Sequence, residues 1–139
     1  MRVMVLVKAS EESEAGQVPS TEEFAEMGKF NEKLAKAGIM LAAEGLSSSR
    51  EGKRLAFDDA GTATVIDGPF AETKELVAGF WVWQVSSMEE AVQWLKQAPF
   101  RGGEVEIRRV AESEDFGESF TPELRAAEDA IREQITQRQ

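Results

Sequence analysis

Two stretches of this chain are apolar on both sides of an alternating pattern. From Arg2 to Lys8, Val3, Val5 and Val7 alternate with Met4 and Leu6, and from Val77 to Val85, Trp81, Trp83 and Val85 alternate with Ala78, Phe80 and Val82. A strand with no polar face belongs in the middle of a sheet, because either edge position or an exposed face would leave apolar side chains in water. Any fold for this chain must therefore place these two strands centrally and find cover for both of their faces.

The rest of the sequence supplies the surrounding elements. A polar loop from Ala9 to Val18 leads to Ser20 and Glu23, spaced as a capping box, and a helix to about Ala37 with Phe24, Met27, Phe30, Leu34 and Ala37 as its buried stripe and Gly38 as its stop. Ile39 to Ala43 reads as a second strand, followed by the loop Ser47 to Gly52. Arg54 to Phe57 and Thr62 to Ile66 form a hairpin about the turn Asp58-Asp59-Ala60-Gly61. Ser87 and Glu90 open a second helix with the stripe Met88, Ala91, Val92, Leu95 and Ala98, closed by Pro99. Glu104 to Val110 alternates as a half-buried edge strand. Thr121-Pro122 starts a last helix through Leu124, Ala127, Ile131 and Ile135.

In order this is β-α-β-(hairpin)-β-α-β, the pattern of an α+β ferredoxin-like sandwich, whose first and third core strands are central. Two helices cover one face of such a sheet. The other face, carrying either Phe80 and Val82 or Trp81 and Trp83, is expected to lie open, and an apolar patch of that kind is normally covered by a partner. A homodimer with two sheets packed face to face follows as the expectation, with any ligand cavity between the sheets or at their mouth. Two segments are distinguished: a domain over residues 1–110 and an acidic extension with a helix over 111–139. The extension holds eight acidic and three basic residues, half of the net charge of −10.

Composition removes much chemistry. The 139-residue chain has no histidine, cysteine or tyrosine, which excludes imidazole and phenol catalysis, thiol redox and zinc sites of the usual nitrogen and sulfur type. Any catalysis rests on carboxylates, lysine, arginine, hydroxyls, indoles and the backbone. The acidic balance argues against nucleic acid and anionic membrane surfaces. The Ala78-Gly79-Phe80-Trp81-Val82-Trp83 run on a central strand lacks the basic lead, and the first strand lacks the companion aromatic, of an RNA-recognition sheet. Without a signal-peptide pattern or a long apolar window, a cytoplasmic location is the default expectation. No cofactor and no metal is expected: Glu14, Glu44 and Asp67 are possible oxygen ligands for magnesium or calcium, but no segment has calcium-loop spacing.

At Asp67-Gly68-Pro69-Phe70-Ala71-Glu72-Thr73-Lys74-Glu75 the chain resembles the YCII-related proteins of the DGPF-domain group. Val7-Lys8-Ala9-Ser10, Met27-Gly28-Lys29-Phe30-Asn31-Glu32, Ala43-Glu44-Gly45-Leu46, Leu76-Val77-Ala78-Gly79-Phe80-Trp81, Glu104-Val105-Glu106-Ile107-Arg108 and Glu114-Asp115-Phe116-Gly117-Glu118 extend the resemblance along nearly the whole chain, toward the branch with a long acidic C-terminus. The resemblance implies a ferredoxin-like dimeric α/β barrel and no generally established activity. In some relatives a histidine and aspartate pair in the pocket is proposed as catalytic; here only the aspartate half carries over, to Asp67. The loop after Leu46 also departs from the family, with Ser47-Ser48-Ser49 where relatives show proline and then serines.

Asp67 has two readings. Its carboxylate can cap its own Gly-Pro turn, or it can be a pocket group, partly desolvated by Phe70 and the indoles and suited to acid or base work. Lys8, Glu44, Arg54, Glu72, Lys74, Trp81 and Trp83 are the candidate binding residues around it. Arg50, Lys53 and Arg54, with Ser47 to Ser49, make a local basic cluster able to take an anionic metabolite or simply to be solvated. The resulting expectation is a dimer that binds a small polar molecule, with enzymatic turnover left open. Its alternative is a non-catalytic accessory or regulatory dimer that meets a protein partner through the acidic tail helix, in keeping with the family's association with extracytoplasmic-function sigma factors.

Overall fold

The computed structural model of the protein describes residues 1–138. The two doubly apolar runs become β1 (Arg2–Lys8) and β5 (Val77–Gln84). With β2 (Met40–Gly45) and β6 (Val105–Arg109) they form an antiparallel sheet in the order β2-β5-β1-β6. The central pair is in register with Val5 opposite Trp81 and Leu6 opposite Phe80. This is the ferredoxin-like strand order, and the two doubly apolar strands occupy its middle as their patterns require.

Two helices cross one face of the sheet. α2 (Thr21–Lys36) is capped by Ser20, whose hydroxyl accepts from the Glu23 N–H while Glu23 reaches back to the Ser20 N–H. It follows the short α1 (Glu11–Glu14). α3 (Met88–Leu95) is capped by Ser87. Phe30 and Leu34 from α2 and Ala91 from α3 close over Val3, Val5, Trp81 and Trp83, all buried. The core contains no charged side chain among the described residues.

The choice that the sequence leaves open is thereby made: the indoles face the helices, and Met4, Leu6, Phe80 and Val82 face away, each only half-buried. Three local expectations are corrected. Phe24, on the first turn of α2, stays 58% exposed because the stretch that packs on the sheet begins one turn later, at Met27. The second helix stops at Leu95 and tightens into three-residue turns, with Gln97 and Ala98 donating to Trp94 and Leu95, before Pro99 removes a donor. The loop after β1 contains α1, whose capping box pairs Ser10 with Ser13; four residues are too few for a hydrophobic period to reveal.

The hairpin consists of β3 (Lys53–Phe57) and β4 (Ala63–Asp67), a two-stranded sheet of its own in which every residue is exposed. Its turn is built as expected. The Asp58 carboxylate accepts from the N–H groups of Ala60 and Thr62, and Gly61 takes φ 85°. Leu55 and Phe57 lie opposite Val65 and Ala63 on one side.

The chain divides into two compact units, Met1–Arg109 and the segment from Val110 onward. In the second, Ser113–Ser119 winds through 3₁₀ turns with a kink at Gly117, where φ is 69°. Phe116 and Phe120 meet edge to face at 5.8 Å. Thr121 then caps α4 (Pro122–Gln137), and Arg125 pairs with Glu114 at 2.7 Å. Leu124, Ile131 and Ile135 remain 52–55% exposed. No helix among the described residues is long and apolar enough to cross a membrane.

Candidate functional site

Three loops leave the same end of the sheet: the one after β1, the one after β2 and the one before β5. They are tied together by polar contacts. Glu14, the last residue of α1, accepts hydrogen bonds from the Ser49 N–H at 3.0 Å and from the Ser49 hydroxyl, while the Ser48 hydroxyl donates to the Glu14 carbonyl at 2.7 Å. The Ser49 oxygen in turn accepts from the Phe70 N–H at 3.0 Å. Gly68 donates its N–H to the Gly52 carbonyl at 3.0 Å.

The glycine of the Asp-Gly-Pro-Phe turn is required by this packing. A Cβ at Gly68 would lie 1.7 Å from the Ser49 carbonyl oxygen, a backbone atom that no side-chain rotation can move. The Gly68–Pro69 peptide bond is cis. The turn motif thus serves as a plug against the serine loop, and its Phe70 ring is delivered to the wall of a cleft of about 360 Å³. Glu14, Ser49, Glu51, Arg54 and Phe70 belong to the polar and aromatic part of its lining, and Leu46 and Val77 to its apolar part.

The Arg54 guanidinium lies 3.9 Å from the centroid of the Phe70 ring, a cation–π contact, and 3.7 Å from the Glu72 carboxylate. The Ser49 hydroxyl and then its N–H hold the Glu14 carboxyl below its ordinary range, outweighing the opposing effect of desolvation, with a smaller contribution from Arg50. Glu14 is therefore an ionised acceptor at neutral pH. A carboxylate offers about four lone-pair positions, so two Ser49 donors leave capacity for a ligand.

The open face of the sheet abuts this end. Its centre is Met4, Leu6, Phe80 and Val82, and its rims are charged. On one side Glu106 is paired with Lys8 at 3.4 Å and with Arg108 at 3.2 Å, and these bonds, Arg108 first, hold the Glu106 carboxyl below its ordinary range. On the other side Glu44 stands opposite Phe80 in the register.

The sequence candidates are redistributed accordingly. Arg54 lines the cleft and Glu72 stands beside it; Lys8 and Glu44 belong to the open sheet face; Lys74 is exposed on the 3₁₀ turn Thr73–Glu75. Trp81 and Trp83 are corrected out of the binding set: they are 4% and 0% exposed, packed against Phe30 on the helix side. Trp81 donates its indole N–H to Asn31 at 2.9 Å. Asp67 is corrected as well. It is not desolvated by Phe70 and the indoles but lies exposed at the base of the hairpin, paired with Lys53 at 2.5 Å. The indoles lie beneath the helices, and Phe70 is stacked on Arg54.

Sequence reasoning misses the partnership of Glu14 with Ser49. Both residues stand out on their own, one as an oxygen ligand and one beside the basic cluster, but a contact spanning 35 positions has no local signature. Glu14, Glu44 and Asp67 do not gather, and no cluster suited to a metal ion occurs among the described residues.

Comparison with known proteins adds three findings. The family model of the YCII-related domain matches residues 1–114. An uncharacterised protein of Rhizobium meliloti (strain 1021) is 42% identical over 55 residues, which is 37% of this chain and 44% of that protein, so the match spans under half of the relative's length. Among solved structures, the 5-chloro-2-hydroxyhydroquinone dehydrochlorinase of Burkholderia phenoliruptrix AC1100, in complex with 2,5-dihydroxybenzoquinone, aligns with a TM-score of 0.47 at 15% identity, covering 83% of this chain and 98% of that one.

Proposed function

The chain belongs to the YCII-related domain family, and we propose that it acts as a homodimer that binds a small polar molecule in the cleft at the loop end of the sheet. The observation that carries this reading is the cleft itself: apolar lining at Leu46 and Val77, an ionised acceptor at Glu14 held by Ser49, and a guanidinium at Arg54 stacked on Phe70. Few, well-placed polar groups on an apolar wall are the common composition of ligand pockets, and the volume lies at the small end of their range.

The dimer half of the proposal rests on the open sheet face. Met4, Leu6, Phe80 and Val82 form a contiguous apolar centre between charged rims, which is the composition of an interface core with a polar rim. A second copy supplies an identical, self-complementary surface. In that arrangement Lys8, Glu44, Glu106 and Arg108 border the seam between the sheets. Asp67, whose charge is matched by Lys53 outside the cleft, is left out of this reading. Glu14, held ionised, is a poor proton donor at neutral pH, so the cleft is suited to binding and orientation.

Light scattering coupled to gel filtration tests the dimer. The wild type is expected at twice the chain mass at micromolar concentration, and Leu6→Lys at the chain mass; a monomeric wild type sinks this half of the proposal. A screen of small polar compounds, read by backbone amide shifts of ¹⁵N-labelled protein, tests the cleft. Hits are expected to move the amides of Ser49, Gly52, Phe70 and Val77 together, and hits that move only amides remote from these would sink the assignment.

A further inference from the structure

Resting on the reading of the cleft as a small-molecule site, we infer that its ligand is a carboxylate on a short apolar body, taken head-first by Arg54. The guanidinium is the one basic group in the cleft lining among the described residues. It is held in place by a series of contacts from Glu14 to Ser49, from Ser49 to Phe70 and from Phe70 to Arg54: the carboxylate fixes the serine, the serine oxygen fixes the Phe70 N–H, and the ring carries the cation. A planar fork positioned in this way matches a carboxylate bidentately, in a manner that lysine cannot reproduce.

The present partner of Arg54 leaves that capacity unused. Glu72 stands 3.7 Å away, whereas a bidentate guanidinium–carboxylate pair closes to roughly 2.7–2.9 Å. Both side chains are about half exposed, and exposed pairs of this kind contribute little. A ligand carboxylate can therefore replace Glu72, which returns to water, and no charge is left buried without a partner. The two acids of the lining, Glu14 and Glu51, set the cost of this exchange. Glu14 carries a charge of the ligand's own sign, partly met by its two donors from Ser49, and Glu51 is exposed, where water screens it. Beyond the head group, Leu46, Leu76 and Val77 offer branched apolar surface, which suits an aliphatic body.

Three probes with one body and different heads test this: hexanoate, hexan-1-ol and hexylamine, titrated into the full-length protein and followed by the amides of Ser49 and Phe70. Hexanoate is expected to bind at least tenfold more tightly than either of the others. Arg54→Gln is expected to remove that preference, and Arg54→Lys to restore only part of it. Glu72→Ala, which removes the competing carboxylate, is expected to tighten hexanoate a few-fold and leave hexan-1-ol unchanged, an effect that loss of structure would not produce. Equal or tighter binding of the alcohol or the amine overturns the carboxylate assignment while small-molecule binding in the cleft stands. The assignment is overturned in the same way if Arg54→Gln binds hexanoate as the wild type does, or if none of the three probes binds while other compounds still move the cleft amides. If nothing moves them, the reading of the cleft fails as well.

Discussion

The helix side of the sheet and its loop end are held together by opposite means. On the helix side, Trp83, Val3, Val5 and Leu34 are fully buried and apart from the Trp81–Asn31 bond the contacts are apolar; the Trp83 indole N–H has no hydrogen-bond partner among the described residues. At the loop end little is buried, and order comes from a carboxylate, two serines and glycines with no room for a side chain. Burial is non-directional and scales with area, so such a region loses stability in proportion to the volume removed. A set of directed hydrogen bonds loses its geometry when one member is displaced. The first region keeps the fold, and the second keeps the site.

The largest effect expected from this contrast is that of Trp83→Ala. Emptying the space of a fully buried indole costs about 3–5 kcal/mol in general, to be measured by urea denaturation, while the protein that remains folded should bind cleft ligands with unchanged affinity. Next is Gly68→Ala. One methyl group 1.7 Å from the Ser49 carbonyl forces the Asp-Gly-Pro-Phe turn off the serine loop, a distortion expected to cost about 1–3 kcal/mol. Here the order of effects reverses: stability falls less than in Trp83→Ala, but binding is lost. If Trp83→Ala abolished binding and Gly68→Ala spared it, the separation of the two regions would be wrong.

A smaller difference is expected within the core. Trp81→Phe removes the hydrogen bond to the half-buried Asn31 side chain, whereas Trp83→Phe removes a buried N–H that has no partner. A buried unpaired polar group costs about 1–3 kcal/mol. With similar volume lost at both positions, Trp83→Phe is expected to be the milder substitution by about 1 kcal/mol in the same denaturation experiment.

These two regions are also unequally visible in the sequence. Val3 to Val7 and Val77 to Val85 announce central strands because an apolar residue on both faces has only one comfortable place in a sheet, and Ser20 with Glu23 marks the start of α2 through a spacing of three. Which face of Val77 to Val85 the helices cover cannot be read, since indoles and phenylalanine are equally suited to burial. The cleft is harder. Asp67 draws attention because it stands beside a glycine and a proline, but those two residues shape a turn whose purpose is to dock on the distant Ser49. Periodicity and capping are local; the Glu14–Ser49 and Ser49–Phe70 bonds join positions whose neighbourhood exists only after the sheet has formed.

The finest expected effect separates the regions by pH. The Glu14 carboxyl titrates below its ordinary value of about 4.5 because Ser49 donates to its ionised form. A carboxyl depressed by folding adds stability that is fully present above its unfolded value and is lost as pH falls through the lower folded value. Acidification below about pH 4.5 should therefore release the loop end first, as Glu14 takes up a proton and loses its hold on Ser49. Glu106 and Glu114 are depressed too, by Arg108 with Lys8 and chiefly by a backbone N–H with Arg125, so global unfolding reports all three. The Ser49 and Phe70 amide shifts isolate Glu14. They should follow a single titration below pH 4.5 that disappears in Glu14→Gln, while the Trp81 and Trp83 indole signals, set in a core without buried charged side chains among the described residues, stay in place until the protein unfolds. Ser49 and the indoles moving together at one pH, in wild type and Glu14→Gln alike, would mean that the cleft has no stability of its own to lose and that burial alone maintains both regions.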